Sequence, residues 1–456
     1  MTSQATPQFT LQTPDISRFQ ARRNHLMEWM RSQGGGIALL CTAPERARNR
    51  DNHYVYRHDS DFFYLTGFNE ANAWLVLIAG DQNQSILFCE GKNVEMELWN
   101  GVRWGPIAAA EHFGFEQAED VSNLNAKATE LMLGQTRLFT TMSRPATADL
   151  LPTVQTWVTQ AAAQTRGLRA TPHQWLDLSE VLAEMRLIKE AGEQQTMRAA
   201  GKISAQGHVR AMQAAQPGKH EFELEAELLY TFRKHGAQAV AYNCIVAAGS
   251  NACILHHAAG NRIMREGDLV LIDAGCELDG YASDITRTFP ANGRFSGPQR
   301  ALYDIVQAAQ QAAIDCTNPT HHWNAGHDAA VRILTQGLLD EGLLQGSLEH
   351  ALESSAYKPF YMHRTGHWLG MDVHDVGSYR TPPASTVDRP WRMLEPGMVL
   401  TIEPGLYVRP AENIPEKFWN IGIRIEDDAI VTDQGCELIT RDVPVAADEI
   451  EALMRN

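Results

Sequence analysis

Apolar residues recur at helical spacing from Ile16 to Gln33, and the run stops at Gly34-Gly35-Gly36, a strong terminator. Ile37-Ala38-Leu39-Leu40 then reads as a buried strand, with Ala73–Ala79 and Ser85–Cys89 as further strands. Strand and helix patterns alternate to about Ala170, which predicts an α/β N-terminal domain. Thr2–Thr13 has no such pattern and reads as a flexible lead. Leu168–Gln174 reads as a linker, so the expected division is 1–175 and 176–456. Beyond it, Glu190–Ala215 reads as one long helix broken by Pro217-Gly218, and Glu221–His235 as a second ended by Gly236. Two more helices are expected, from Pro298 to about Cys316 and from about Gly326 to Gly342.

Between these helices lies the most informative stretch, Leu269–Thr288 (LVLIDAGCELDGYASDITRT). A β-prone apolar run, a turn signal at Glu277-Leu278-Asp279-Gly280 and a β-branched return predict a hairpin. Folding it about the Leu278/Asp279 midpoint puts Asp273 opposite Asp284. Opposed Cβ atoms lie about 4.5–5.5 Å apart, where like charges repel. The apolar flank implies burial, and a buried unpaired carboxylate costs several kcal/mol. A shared proton or a metal must therefore neutralise the pair.

Other residues favour metal. Gly267–Gly275 (GDLVLIDAG) and Gly397–Gly405 (GMVLTIEPG) share a pattern of Gly, apolar β-type run, acid, one residue, Gly. This local repeat puts Glu403 where Asp273 sits, and a duplicated scaffold would bring both to one centre. Glu426 ends another strand-like run, Ile421–Ile425. His367 lies in Thr365-Gly366-His367-Trp368-Leu369-Gly370, where glycine permits close backbone approach.

Composition narrows the classes. The chain has 456 residues, 44% hydrophobic and 21% charged, ordinary for a globular protein of two domains. A net charge of −16 argues against nucleic acid or an anionic membrane as partner. No apolar run approaches the roughly 18 residues of a membrane span, and the opening residues lack a secretory pattern. Seven scattered cysteines without CxxC suit reduced thiols and a cytoplasmic location.

The order Asp273, Asp284, His367, Glu403, Glu426, with these flanks, resembles the pita-bread metallopeptidases, a group that includes methionine aminopeptidase, prolidase and aminopeptidase P. LIDAGCELDGYASDITRTFP, HWLGMDVHDVG, LEPGMVLTIEPGLY, NIGIRIEDD and the N-terminal YRHDSDFFYLTGFNE look most like bacterial aminopeptidase P, over nearly the whole chain. The resemblance implies an α+β pita-bread catalytic domain with pseudo-two-fold duplication after the α/β domain. It also implies two Mn²⁺ per subunit on those five ligands, with Zn²⁺ or Co²⁺ as alternatives, and a metal-bridging hydroxide that attacks the Xaa-Pro bond. Glu403 is then the proton shuttle. His256 and His363 would hold the proline side of the substrate, and His374 the scissile group. His257 adjoins His256, which leaves a one-residue ambiguity. Arg424 would pair with Asp273, Tyr407 would share that network, and Trp99 would reach a neighbouring subunit's site.

Where relatives often carry a glycine and an aliphatic residue after the residue matching His363, this chain has Arg364-Thr365-Gly366, which adds a cation beside the site. The expected activity is release of the N-terminal residue from peptides with proline second, by a homo-oligomer (dimer or tetramer). The alternatives are an Xaa-Pro dipeptidase or a non-catalytic peptide-binding protein on the same fold. Presence of all five ligand types argues against the last of these and against creatinase-like metal-free hydrolysis.

Overall fold

The computed structural model describes residues 16–142, 150–381 and 389–455; the lead read at Thr2–Thr13 lies outside them. Two compact units divide between Met185 and Arg186. This is later than residue 175, because Gln174–Asp177 is not linker but an edge strand of the first unit's sheet.

The N-terminal unit is built on a six-stranded mixed sheet. Its strands are β1 (Gly36–Cys41), β2 (Trp74–Ala79), β3 (Gln84–Cys89), β4 (Gln117–Asp120), β5 (Arg137–Thr140) and β6 (Gln174–Asp177), in the order β4-β3-β2-β1-β5-β6. β1, β2 and β3 form an antiparallel meander, while β4, β5 and β6 join in parallel. The unbroken apolar run of β1 suits its central place, with residues 36–40 all buried. The Ile16–Ser32 helix forms as its periodicity predicts and ends before the triple glycine.

The second unit carries two antiparallel strand pairs built to one plan. In the first, β9 (Leu269–Asp273) pairs with β12 (Thr286–Pro290), and β8 (Ile245–Ala248) lies on the other side of β9. Inserted between β9 and β12 is the small hairpin β10 (Cys276–Leu278)–β11 (Tyr281–Ala282), extended by β7 (Ala239–Val240). In the second, β13 (Val399–Ile402) pairs with β16 (Asp427–Val431), β17 (Cys436–Leu438) flanks β16, and the hairpin β14 (Gly405–Val408)–β15 (Ile421–Arg424) is inserted. In each plan one acid follows the first strand's apolar run and another precedes the return strand. These are Asp273 and Asp284 in one, Glu403 and Glu426 in the other. This is the pseudo-two-fold duplication that the local repeat announces. Helices Ala191–Ala214, Glu221–Lys234, Gly297–Asp315 and Ala325–Asp340 pack around these strands.

The hairpin register corrects one expectation. Asp279 (φ 50°) and Gly280 (φ 79°) both take positive φ, as a two-residue type I′ turn requires. The turn is therefore centred between them, Leu278 pairs with Tyr281, and Asp273 faces Thr286 rather than Asp284. Ala274 N–H donates to Ile285 O and Ser283 N–H to Cys276 O, which sets Asp284 across from Gly275. A Cβ on Gly275 would lie 1.7 Å from Ser283 O. Only glycine lets the Asp284 segment come that close.

The two plans are joined by a buried ion pair. Arg287 Nη2 donates to Asp427 Oδ1 at 2.7 Å, both side chains being 0% exposed. Arg287 also donates to Glu426 O (2.6 Å) and to Val443 O (3.2 Å). Burial pushes the Asp427 carboxyl up, but Arg287 and Arg441 outweigh it and hold it below the usual range. Arg441 Nε stays 2.7 Å from Asp427 Oδ2, so removing Arg287 strands only part of that charge and costs towards the lower end of the range for a fully broken buried pair, about 3–5 kcal/mol. Arg287→Met is therefore expected to lower unfolding stability by that amount in urea titrations followed by tryptophan fluorescence. A loss below about 1 kcal/mol would remove the pair from its joining role.

Candidate metal centre

The acids converge because each sits where an apolar strand ends inside the second unit. One donor atom from each of Asp284, His367 and Glu426 can be chosen so that all three lie within 4.8 Å of one another. His367 Nε2 is 3.5 Å from Asp284 Oδ2 and 3.8 Å from Glu403 Oε1. Asp273 joins through the Tyr242 hydroxyl, which donates to Asp273 Oδ1 at 2.5 Å and contacts Asp284 Oδ1. All five sequence-selected ligand candidates are thus gathered.

Backbone stitching sets their positions. Thr401 N–H donates to His367 O (3.0 Å), Glu403 N–H to Thr365 O (2.8 Å), and His367 N–H to Thr401 Oγ1 (3.1 Å). A Cβ on Gly366 would lie 2.0 Å from Thr401 O, so this glycine is needed for the approach. On the other side, Glu426 N–H donates to Thr286 O (3.0 Å) and Thr286 Oγ1 donates to Glu426 Oε2 (2.6 Å).

Electrostatics tests whether cations belong here. Burial and the charge of Asp273 push the Asp284 carboxyl up. Burial, Asp284 and Glu403 drive Glu426 well above the usual range. Glu403 rises to about 7, chiefly through burial. Burial would lower the His367 pKa, yet Asp284 and Glu403 outweigh it and raise it to about 9. Four carboxylates thus share one site with a single guanidinium, Arg424, whose Nη2 donates to Asp273 Oδ2 at 2.5 Å. Hard oxygen donors plus one imidazole, strained towards protonation, fit divalent cations that accept oxygen-rich coordination.

Around the cluster, His363 Nδ1 donates to Arg364 O (2.7 Å), so its Nε2 accepts from the Tyr407 hydroxyl (2.9 Å). Arg424 Nη1 in turn donates to Tyr407 Oη (2.9 Å). Burial and Arg424 lower the His363 pKa to about 4, which keeps this ring neutral. The His374 ring centroid lies 4.1 Å from that of His367. Burial, His367 and His256 lower the His374 pKa, which places His256 in the same field. His257 instead bonds Glu221 (2.9 Å) and Asn251 (3.2 Å), so His256 is the histidine left open. Trp99 lies in the Val94–Asn100 helix of the N-terminal unit, 81% exposed.

Three participants escaped the sequence reading. Tyr242 bridges Asp273 and Asp284, but no motif marks a lone tyrosine thirty residues upstream. Asp428 Oδ2 accepts from Asp284 N–H at 2.9 Å, and burial with the Asp284 charge drives its carboxyl well up. Its place in Ile425-Glu426-Asp427-Asp428 could have suggested it. Thr365, bonded to His327 Nδ1 (2.8 Å) and the Tyr361 hydroxyl (2.7 Å), anchors the His363–His367 segment.

The geometry defines a metallohydrolase site on a duplicated α+β scaffold, and comparison with known proteins agrees. The model for metallopeptidase family M24 matches residues 195–433, and that for the aminopeptidase P N-terminal domain matches residues 19–139. The chain belongs to metallopeptidase family M24. It is 44% identical to an Xaa-Pro aminopeptidase of Escherichia coli, covering 96% of this chain and 98% of that one. It is also 32% identical to an Xaa-Pro dipeptidase of Rattus norvegicus, covering 100% and 97%. The solved structure of aminopeptidase PepP from Pseudomonas aeruginosa superposes with a TM-score of 0.92 at 46% identity, covering 97% and 98%.

The raised carboxyl pKa values have two measurable outcomes. Folding lifts Glu403 to about 7, so the metal-free fold binds more protons than the unfolded chain between about 4.5 and 7. The stability from this group is present below about 4.5 and lost as pH rises through about 7. Cation uptake must expel that proton and the one on His367 as well, so affinity for Mn²⁺ should tighten at least about tenfold per pH unit below pH 7, with proton release visible by calorimetry in buffers of different ionisation enthalpy. Glu426→Gln removes the cost of burying a carboxyl whose charge its neighbours oppose. It should raise the Tm of chelator-treated protein by about 2–4 °C while reducing the Tm gain on adding Mn²⁺.

Proposed function

We propose that this chain releases the N-terminal residue from peptides with proline in the second position, using two Mn²⁺ per subunit held by Asp273, Asp284, His367, Glu403 and Glu426. The observation that carries the reading is the convergence of those five groups, three buried and His367 and Glu403 half-buried, beside three histidines, in a chain so similar to Xaa-Pro aminopeptidases over nearly its full length. Bound cations supply an activated water and polarise the peptide carbonyl. Manganese is favoured over zinc because four of the five donors are carboxylates.

The chain's own residues orient and move protons. Glu403 takes a proton from the attacking water at a carboxylate oxygen. It then delivers the proton to the proline nitrogen as the C–N bond breaks. Neutral His374 donates an N–H to the scissile carbonyl. His363, locked in one tautomer between Arg364 O and Tyr407, presents its ring to the proline, with His256 opposite. Arg424 holds Asp273 in a fixed orientation. A proline offers no amide N–H and a fixed φ, so recognition rests on ring shape rather than on a backbone hydrogen bond.

Exposed Val94, Leu98, Trp99, Val102 and Ile107 supply apolar surface on the N-terminal unit, which supports assembly of two or four copies with Trp99 at the contact. Among the described residues no helix is long and apolar enough to cross a membrane, and all seven cysteines are unpaired, which supports a reducing cytoplasm.

The Mn²⁺-loaded protein is expected to cut Xaa-Pro-Xaa tripeptides faster than Xaa-Pro dipeptides in a ninhydrin or coupled proline assay. A faster dipeptide rate would move the assignment to a dipeptidase, and no cleavage of either would remove it. Glu403→Ala should lower kcat by about 10²–10⁴ while the far-ultraviolet circular dichroism stays unchanged.

A further inference from the structure

Arg364 sits between two residues that touch Glu403. His363 Nδ1 is 3.7 Å from Glu403 Oε2, and Thr365 O accepts the Glu403 N–H. Its guanidinium is held from two sides: Nη2 donates to Asn324 Oδ1, and Cζ lies 5.5 Å from the Trp391 ring centroid. The same indole carries a second guanidinium, Arg380, with Cζ 3.2 Å from the centroid and Nη1 donating to Arg389 O.

Two like charges on one ring repel. The positive end of the Ala325–Asp340 helix, which begins after Asn324, adds to the same potential. Among the described residues Arg364 pairs with no carboxylate; Asp328 is linked to it only through Asn324 Nδ2, at 2.8 Å. In a chain of net charge −16, Arg364 and Arg380 thus gather positive charge around Trp391, one residue along the chain from two groups that touch Glu403. Cation–π contacts and the Asn324 bond fix the guanidinium fork in advance, which lowers the ordering cost of binding an anion.

We propose that Arg364 and Arg380 form a subsite for a carboxylate on the leaving-group side of the scissile bond. This rests on the aminopeptidase reading above, in which His363 faces the proline, so that its neighbour Arg364 faces the part of the peptide C-terminal to that proline. An extended peptide advances about 3.3 Å per residue, and an arginine side chain spans about two such steps. The carboxylate recognised is thus one or two residues beyond the proline. It is either the C-terminus of a short peptide or an Asp or Glu side chain of a longer one. Guanidinium and carboxylate match as parallel charge-assisted hydrogen bonds.

The test measures kcat/KM of the metal-loaded protein on matched pairs: Xaa-Pro-Xaa as free acid and as amide, and a longer amidated peptide with Glu or Gln after the proline. The acid or Glu member is expected to be preferred about 5–10-fold, with the ratio shrinking as salt rises from about 0.05 to 0.5 M. Preference in the first pair alone identifies the C-terminal carboxylate, and in the second alone the side chain. In Arg364→Gln and Arg380→Gln the ratio should fall towards unity, and Arg364→Lys should keep part of it. The ratio is internal to each sample, so a reduced folded fraction does not alter it. Equal rates for both members of each pair in the unsubstituted protein overturn the proposal whatever the variants do. A full ratio retained in both glutamine variants overturns it as well. Failure of the aminopeptidase reading looks different, as no cleavage of any member.

Discussion

Mutual repulsion among Asp273, Asp284, Glu403 and Glu426 is the constraint on which the second unit is arranged. Each carboxylate is driven towards the centre by the strand that carries it, and none of the surrounding apolar residues can stabilise its charge. The fold answers with a short list of compensations. Arg424 holds Asp273, His367 lies between Asp284 and Glu403, and Tyr242 donates to the first pair. These do not suffice, as the upward shifts of Asp284, Glu403 and Glu426 record. A site held in that state stores affinity for divalent cations, because binding them relieves a repulsion that folding has already imposed.

Holding such a site open requires rigidity elsewhere. The Arg287–Asp427 pair and the Thr286–Glu426 bridge tie one strand plan to the other directly behind the acids. Gly275 and Gly366 perform matching tasks, each letting a ligand-bearing segment pass within backbone contact of a strand. The Tyr407 hydroxyl couples Arg424 to His363, so that the group orienting Asp273 also fixes a substrate-facing histidine. Coordination and substrate orientation thus draw on one hydrogen-bonded network, which limits how far either can vary without the other.

The apolar periodicities were enough to place the helices Ile16–Ser32, Ala191–Ala214, Glu221–Lys234, Gly297–Asp315 and Ala325–Asp340 to within a residue or two, since capping and glycine stops are local. Asp273 and Glu403 were legible for a similar reason. An acid that follows a β-type run just ahead of a glycine is conspicuous, and the GDLVLIDAG and GMVLTIEPG repeats flag each other, whereas Asp284 rested on the hairpin and His367 and Glu426 on their flanks. Less legible was anything set by a partner distant in the chain. Gln174–Asp177 reads as linker until β5 is there to pair with it. Tyr242 carries no local signature and Asp428 only its place beside Glu426, because the roles of both arise when Asp284 lies beside them.

Local chemistry in the chain determined which residues form the long helices and the apolar strands, which acids must be buried and therefore that a neutralising partner is needed. Tertiary structure alone decided the geometry of that neutralisation. A two-residue turn at Asp279-Gly280 shifted the hairpin centre, so Asp273 meets Thr286 across the ladder and is linked to Asp284 through the Tyr242 hydroxyl. His256 was separated from His257 by the Glu221 carboxylate, which claims the latter. The physical reason is common to both. Hydrophobic pattern and turn propensity act over a few residues, whereas register, hydrogen-bond partners and the field at a buried charge are summed over segments that only folding brings together.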